Sequence, residues 1–260
     1  MAIMELKQVQ FSRKSHTIFS NFNLSIEQGK FISLLGPNGT GKSTLLKMIS
    51  GILPVEKGQI SLFGKDVANL KQLERAQLIS YMPQTTFLET NFTVEQVVKM
   101  GRYPHKKRFS SWTTEDTQAV DRAISYTGIH HLRNRLIPSL SGGERQLVYL
   151  TKAIAQDTPI LLLDEPTSDL DIYHQIIVMD VLKKLVQDGQ TILAAIHDIN
   201  LAARISDESL LIKNGEVVVF AENAEAIKED TIQKGFQVNV HIYEEPFTKT
   251  LQVLPYEVSK

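Results

Sequence analysis

The sequence predicts an α/β fold in which a sheet-forming core is interrupted by a mainly helical insertion. Three observations carry this reading. Short apolar runs that read as buried strands alternate with segments of helical spacing in the first part of the chain, the spacing is helical throughout between Val94 and Ile154, and strand signals return from Pro159.

The elements follow in order. "FISLLG" (31–36) is an apolar run closed by a glycine, and "KSTLLKMISG" (42–51) has helical spacing with Gly51 as its stop. "GQISLFGKDV" reads as a strand and turn, and "ISYMPQ" as a strand closed by Pro83. Beyond Gln84, "TVEQVVKMG", "TTEDTQAVDRAISYTG" and "ERQLVYLTKAIAQ" carry apolar residues at spacings of three and four. Thr113 is placed to cap the second of these, with Asp116 three residues on and Gly128 near its end. In the third, Leu147, Leu150 and Ile154 form a buried stripe. "PILLLDEP" and "QTILAAIHD" are strands separated by the helical "DIYHQIIVMDVLKKLVQDG". From about Ala221 the tail reads partly as strand ("GFQVNVHIY") and partly as acidic helix, and no internal repeat is found. One domain is expected, with residues 1–89 and 157–220 as the core, 90–156 as the helical subdomain and 221–260 as a tail.

At 260 residues, 42% hydrophobic and 22% charged, the chain can bury one substantial core or two smaller ones. A formal net charge of −1 supplies no electrostatic drive for non-specific nucleic-acid binding, and none is expected. With no cysteine, disulfides, thiolate metal sites and cysteine nucleophiles are impossible, which suits a reducing compartment. Glu5 and Lys7 fall where a signal peptide needs an apolar stretch, and no run approaches the ~18 apolar residues of a membrane span. The expectation is a chain that neither crosses a membrane nor enters one alone.

"GPNGTGKST" lies between an expected strand and an expected helix, the context its G-x-x-x-x-G-K-[ST] spacing requires. Gly36, Pro37, Asn38, Gly39, Thr40 and Gly41 would wrap an anion with their backbone, and the helix beginning at Lys42, Ser43 and Thr44 adds donors and a favourable dipole. Lys42 would reach the β- and γ-phosphates of ATP, and the Ser43 hydroxyl would ligate Mg²⁺. Asp164 and Glu165 stand at the C-terminal end of an apolar strand, where open parallel sheets bind ligands, so Asp164 can hold Mg²⁺ and Glu165 can polarise an attacking water. Gln84 and His197 also end expected strands, on the edge where the phosphates would lie.

Ser141, Gly142 and Gly143 open the helix "ERQLVYLTKAIAQ" and offer a second anion site without a lysine. One chain with two phosphate-binding surfaces is most simply used as a head-to-tail pair, in which the insertion of one copy closes over the nucleotide held by the core of the other. His130 and His131 point apart on a helix and suggest no metal site, and Trp112 is expected as a packing anchor. The basic stretch "HKKRF" (105–109) is open between a solvated loop and a contact for a membrane partner.

Taken in order, "GPNGTGKST", Gln84, "LSGGERQ", "LLLDEP", "SDLD" and His197 resemble the ATP-binding subunits of ABC transporters, over essentially the whole chain. "MGRYPH" (100–105) is similar to the ATPases of bacterial importers for iron-siderophore complexes, haem and cobalamin. The resemblance implies a two-lobed fold, a P-loop NTPase core with a mixed sheet interrupted by the helical subdomain, and ATP sandwiched in a homodimer. Hydrolysis would drive transmembrane permease subunits, with a substrate-binding protein as an indirect partner, from a peripheral place on the cytoplasmic face of the inner membrane. It further implies that Gln84 senses the γ-phosphate, Mg²⁺ and partner, that Asp171 belongs to a loop reaching across the dimer, and that His197 holds the γ-phosphate and the attacking water.

Two departures stand out. Where the family has an aromatic residue stacking on adenine, this chain has Arg13, whose guanidinium can stack on a base, with Phe11 and His16 as alternatives. Asp169 replaces a usually small residue, and could alter dimer closure or pair with a local lysine. The competing functions are an ABC-type clamp on nucleic acid or ribosomes, which generally needs a long coiled coil or two cassettes in one chain, and a nucleotide-dependent binding module without turnover, against which Glu165 and His197 speak.

Overall fold

The computed structural model describes residues 2–14, 16–84, 91–106, 110–168 and 170–259. Asp169, Lys107 to Phe109 of the basic stretch, and the expected boundary at 89/90 lie outside them. The core begins with β1 (Ala2–Arg13), β2 (His16–Glu27), β3 (Phe31–Leu35), α1 (Lys42–Ile49), β4 (Lys57–Leu62), β5 (Lys65–Asp66), α2 (Gln72–Leu78) and β6 (Ile79–Met82). The insertion contributes α3 (Val94–Lys99), α4 (Thr114–Thr127) and α5 (Gly142–Ala155). The chain then returns through β7 (Ile160–Asp164), α6 (Ile172–Gln187), β8 (Thr191–Ala195), α7 (Ile199–Ile205), β9 (Glu208–Lys213) and β10 (Glu216–Glu222). The tail forms α8 (Asn223–Ala226), α9 (Glu229–Phe236), β11 (Val238–Glu244) and β12 (Leu251–Val258).

The larger sheet has the order β10-β9-β3-β8-β7-β6 and is parallel except for its antiparallel edge strand β10. A smaller antiparallel sheet, β2-β1-β4-β5, lies over one face. Successive strand residues point to opposite faces, so a strand covered on both sides must be apolar at every position. In β7, Ile160 and Leu162 join α1 and the smaller sheet in one core cluster, whereas Leu161 and Leu163 join the helices of the insertion and α6 in another. Each such fully buried side chain stabilises the fold by about 1.5–3 kcal/mol. Because β6, β7, β8 and β3 are parallel, their C-terminal ends share one edge of the sheet.

In the insertion, Thr113 caps α4 by accepting from Asp116 N–H, and Gly128 closes it in the left-handed region at φ 70°. The stripe expected on α5 is too narrow: Val148, Tyr149, Thr151, Ala153 and Ala155 are buried as well as Leu147, Leu150 and Ile154. This helix packs against α3, α4, α6 and β6, and so is covered on several sides. "MGRYPH" is a 3₁₀ turn that buries Arg102, whose Nε donates to Asp116 Oδ1 at 3.3 Å and whose Nη1 donates to the Ala155 carbonyl at 3.1 Å, closing the C-terminus of α5. Trp112 is not buried. It is 38% exposed, donates from Nε1 to Thr117 Oγ1 at 3.0 Å, and lies under the ammonium groups of Lys99 and Lys106.

β1 carries no clean period-two signal because its pairing with β2 is broken by register shifts, one of them between Leu6 and Val9, where Gln8 takes a positive φ. The ambiguous tail is two short helices and a hairpin. Ile227, Ile232, Val240 and Val253 form its own small core, and Asn200 of α7 both donates to and accepts from the Val253 backbone.

Candidate active site

The phosphate loop joins β3 to α1. Gly41 stands at the head of α1 with φ 100°, and a Cβ there would lie 2.7 Å from Ile18 Cγ2 and 2.8 Å from Phe19 Cζ, so both conformation and space demand glycine. Lys42 is buried, and its Nζ donates to the carbonyls of Gly36 (2.6 Å) and Pro37 (3.0 Å). Burial pushes its pKa down while the charges of Glu165 and Asp164 partly offset that. The loop therefore closes around its own ammonium, a charge for which an entering phosphate is a better partner than two neutral carbonyls.

Asp164 ends β7, 2% exposed. Ser43 Oγ donates to its Oδ1 at 2.8 Å, and the Tyr81 hydroxyl donates to its Oδ2 at 3.3 Å. Burial raises the Asp164 pKa despite these donors, and burial followed by Asp164 raises that of Tyr81. Tyr81, from β6, is the participant missing from the sequence reading, because a tyrosine within an apolar strand carries no local sign of a carboxylate partner. Ser43 and Asp164 pair two oxygen ligands of the kind Mg²⁺ takes, and so fit that ion.

Glu165 sits one residue further with φ 55°, a left-handed conformation that costs a non-glycine residue about 1–3 kcal/mol. The Ser168 N–H and hydroxyl both donate to its carbonyl, at 3.2 and 3.0 Å, and hold the turn. Its carboxylate meets Gln84 Nε2 at 2.6 Å and His197 Nε2 at 2.5 Å. Gln84, Glu165 and His197 thus converge from the ends of β6, β7 and β8.

The tip of α5 is built differently. Ser141 Oγ accepts from Glu144 N–H at 3.2 Å, and Glu144 Oε2 accepts from Ser141 N–H at 2.8 Å, a capping box written in the sequence as Ser-x-x-Glu. The Ser141 backbone N–H is the main reason the Glu144 pKa falls. A Cβ on Gly142 would meet nothing within 4 Å, whereas one on Gly143 would lie 2.6 Å from the His174 ring. Among the described residues, the side-chain partners of this tip are Glu144 and His174, not residues 36–44.

Arg13 is exposed at the end of β1, paired across the hairpin with His16. A cleft of about 300 Å³ beside Pro37–Thr40 is lined on its other sides by His16, Thr17, Ile18, Lys213–Gly215 and Gln237, and Arg13 is not part of its wall. Phe11 packs against the core cluster between the sheets.

Residues 19–168, which include the phosphate loop, Gln84, the α5 tip and the Asp164–Glu165 pair, match the profile of the family described as ABC transporter. This chain belongs to the ABC transporter family. Its α/β architecture is that of an ABC ATPase. A cobalamin import ATP-binding protein of Halobacterium salinarum is 40% identical over 92% of this ABC-family chain, which spans only 60% of that relative's length. An iron(3+)-hydroxamate import ATP-binding protein of Bacillus subtilis is 36% identical, over 100% of this chain and 97% of the relative. Among solved structures, a chain described as part of a metal-chelate type ABC transporter in an inward-facing conformation superposes with a TM-score of 0.86 at 28% identity, over 98% of this chain and 97% of that one. A dimeric ATP-binding cassette in a post-hydrolysis state with ADP and phosphate superposes with a TM-score of 0.74 at 28% identity, over 85% of this chain and 98% of that one. No helix among the described residues is long and apolar enough to cross a membrane.

Proposed function

We propose that this chain is the Mg²⁺-dependent ATPase subunit of an importer, working as a head-to-tail homodimer beneath a separate transmembrane permease. Its cargo class is an iron-siderophore, haem, cobalamin or similar metal chelate delivered by a binding protein, and its place is the cytoplasmic face of the membrane. The observation that carries the hydrolytic reading is the meeting of Gln84, Glu165 and His197 on the sheet edge beside the phosphate loop.

Lys42 exchanges its loop carbonyls for phosphate oxygens, and the backbone of residues 36–44 supplies further donors. Ser43 and Asp164, with Gln84, would hold Mg²⁺, which when bound offsets phosphate charge. Glu165 takes a proton from the attacking water, and His197, which touches the same carboxylate, orients that water against the γ-phosphate. His16 lines the cleft beside the phosphate loop and serves the base better than Arg13. Ser141, Gly142 and Gly143 of the second copy complete the phosphate shell on closure, and Asp171 faces across the same interface.

Glu165→Gln tests the chemistry. Steady-state turnover should fall by about 10²–10⁴-fold, the usual worth of a positioned base, while ATP should now trap a stable dimer in size-exclusion chromatography. Undiminished turnover would remove Glu165 from its role. A strictly monomeric ATP-bound variant would remove the dimer.

A further inference from the structure

His174 stands in the first turn of α6 and touches two elements at once. Its backbone N–H donates to Asp171 Oδ1 at 2.8 Å, capping the helix, and its ring Nδ1 lies 2.8 Å from the same oxygen. An ionised carboxylate only accepts, so Nδ1 carries the proton. These donors hold Asp171 below the usual carboxylate range. The other contact is with α5. The His174 side chain is only 16% exposed, and its ring covers Gly143 so closely that a Cβ there would lie 2.6 Å from Cγ and Nδ1 and 2.9 Å from Cδ2. Beside these contacts sit open groups: the Asp171 side chain is 66% exposed, and the space above Gly142 is empty to 4 Å.

We propose that His174 is a positioning residue that locks the tip of α5 to the start of α6, so that Gly142 and Asp171 meet a second copy of the chain as one rigid surface. This rests on the dimeric ATPase reading. α5 belongs to the helical insertion and α6 to the core, so the lock joins the two lobes where closure would occur. Without it, tip and loop sample more orientations that must be ordered on association, a cost that falls on dimer affinity and on turnover. Among the described residues His174 has no hydrogen bond or ion pair to the phosphate loop of the same copy, which would bind ATP as before.

The test uses the full chain with His174→Ala, which removes both contacts, His174→Phe, which keeps the ring and loses the donor, and His174→Asn, which keeps a donor and loses the ring. His174→Ala should weaken the ATP-dependent dimer, measured by analytical ultracentrifugation in the Glu165→Gln background, and lower kcat, each by about tenfold, the scale of one lost charge-assisted hydrogen bond. ATP binding to the monomer, read with a fluorescent analogue, should change less than about twofold, with the Phe and Asn variants intermediate in dimer affinity and kcat. Gly143→Ala should lower the melting temperature when His174 is present and not in the His174→Ala background. The inference is overturned if His174→Ala dimerises and hydrolyses like the unaltered chain, or if monomer ATP binding falls as far as kcat does. Should the Glu165→Gln chain with His174 intact fail to dimerise with ATP, the ATPase dimer itself is wrong and this inference goes with it.

Discussion

At the sheet edge, burial pushes Lys42 below and Asp164 above their ordinary ranges, so each is held against its charged form. In the ion-pair network of the helical insertion the charges are held the other way, although burial pushes Lys152 of α5 down as it does Lys42. Arg133 and Lys99 bring Glu95 down to about 2, and Asp116, although burial opposes it, is kept low by Lys106, Thr113 and Arg102. One glycine from each region shows a further contrast. Gly41 is required by its own chain, through φ and through Phe19, whereas Gly142 faces open space. Groups at the edge keep unfavourable charge for a ligand that offsets it, while the ion pairs of the insertion hold Glu95 and Asp116 in their charged forms and Gly142 stays open.

Asp164→Asn separates the two regions most strongly. Turnover should fall by about 10²-fold or more as a Mg²⁺ ligand is weakened, yet the melting temperature at pH 7 should hold or rise. The sign follows from the raised pKa: folding disfavours the ionised form of Asp164, so its charge subtracts stability above its ordinary pKa, and the amide removes that charge. A lower melting temperature by calorimetry would mean that the Ser43 and Tyr81 hydrogen bonds outweigh the burial.

The two glycines of the α5 tip come next. Gly142→Ala should leave urea-unfolding stability within about 0.5 kcal/mol, since the added methyl meets nothing within the chain, while lowering ATP-dependent dimerisation and turnover by about tenfold or more. Gly143→Ala should cost about 1–3 kcal/mol because the His174 ring must shift. Equal stability losses in both would erase the distinction between an outward and an inward glycine.

The smallest effect belongs to the insertion. Glu95→Gln should cost about 1 kcal/mol at pH 7, as expected for a partly exposed ion-pair network. Glu95 has a depressed folded pKa, so its contribution is complete above the ordinary value of 4.5 and is lost as pH falls toward about 2. Denaturation curves of the two proteins should therefore converge across that window, and a difference unchanged by pH would refute the ion-pair origin.

Much of the site lies open to reading because its signals are local. The phosphate loop, the Asp164–Glu165 pair, the Thr113 and Gly128 caps of α4 and the placement of Gln84 and His197 at strand ends each depend on residues close in sequence. Tyr81, the His174–Gly143 contact and the burial of Arg102 were not legible, since each partner stands 14 to 83 positions away and is recruited by packing. β1 was hidden by its bulges, and the hairpin of β9 and β10 and the short α2 and α7 gave too little periodic signal to read.

Residue order alone determined the fold class, the anion-binding loops and the groups available for phosphate chemistry, because backbone geometry and periodicity are properties of neighbouring residues. Which of those groups touch depends on packing between distant elements. The parallel sheet brings three strand ends to one edge, where Glu165 meets Gln84 and His197, and the packing of α5 on α6 makes one glycine answer to a histidine and leaves the other open. Such contacts depend on which elements become neighbours after folding, and that choice is made by burial of apolar surface over the whole chain rather than by any one segment.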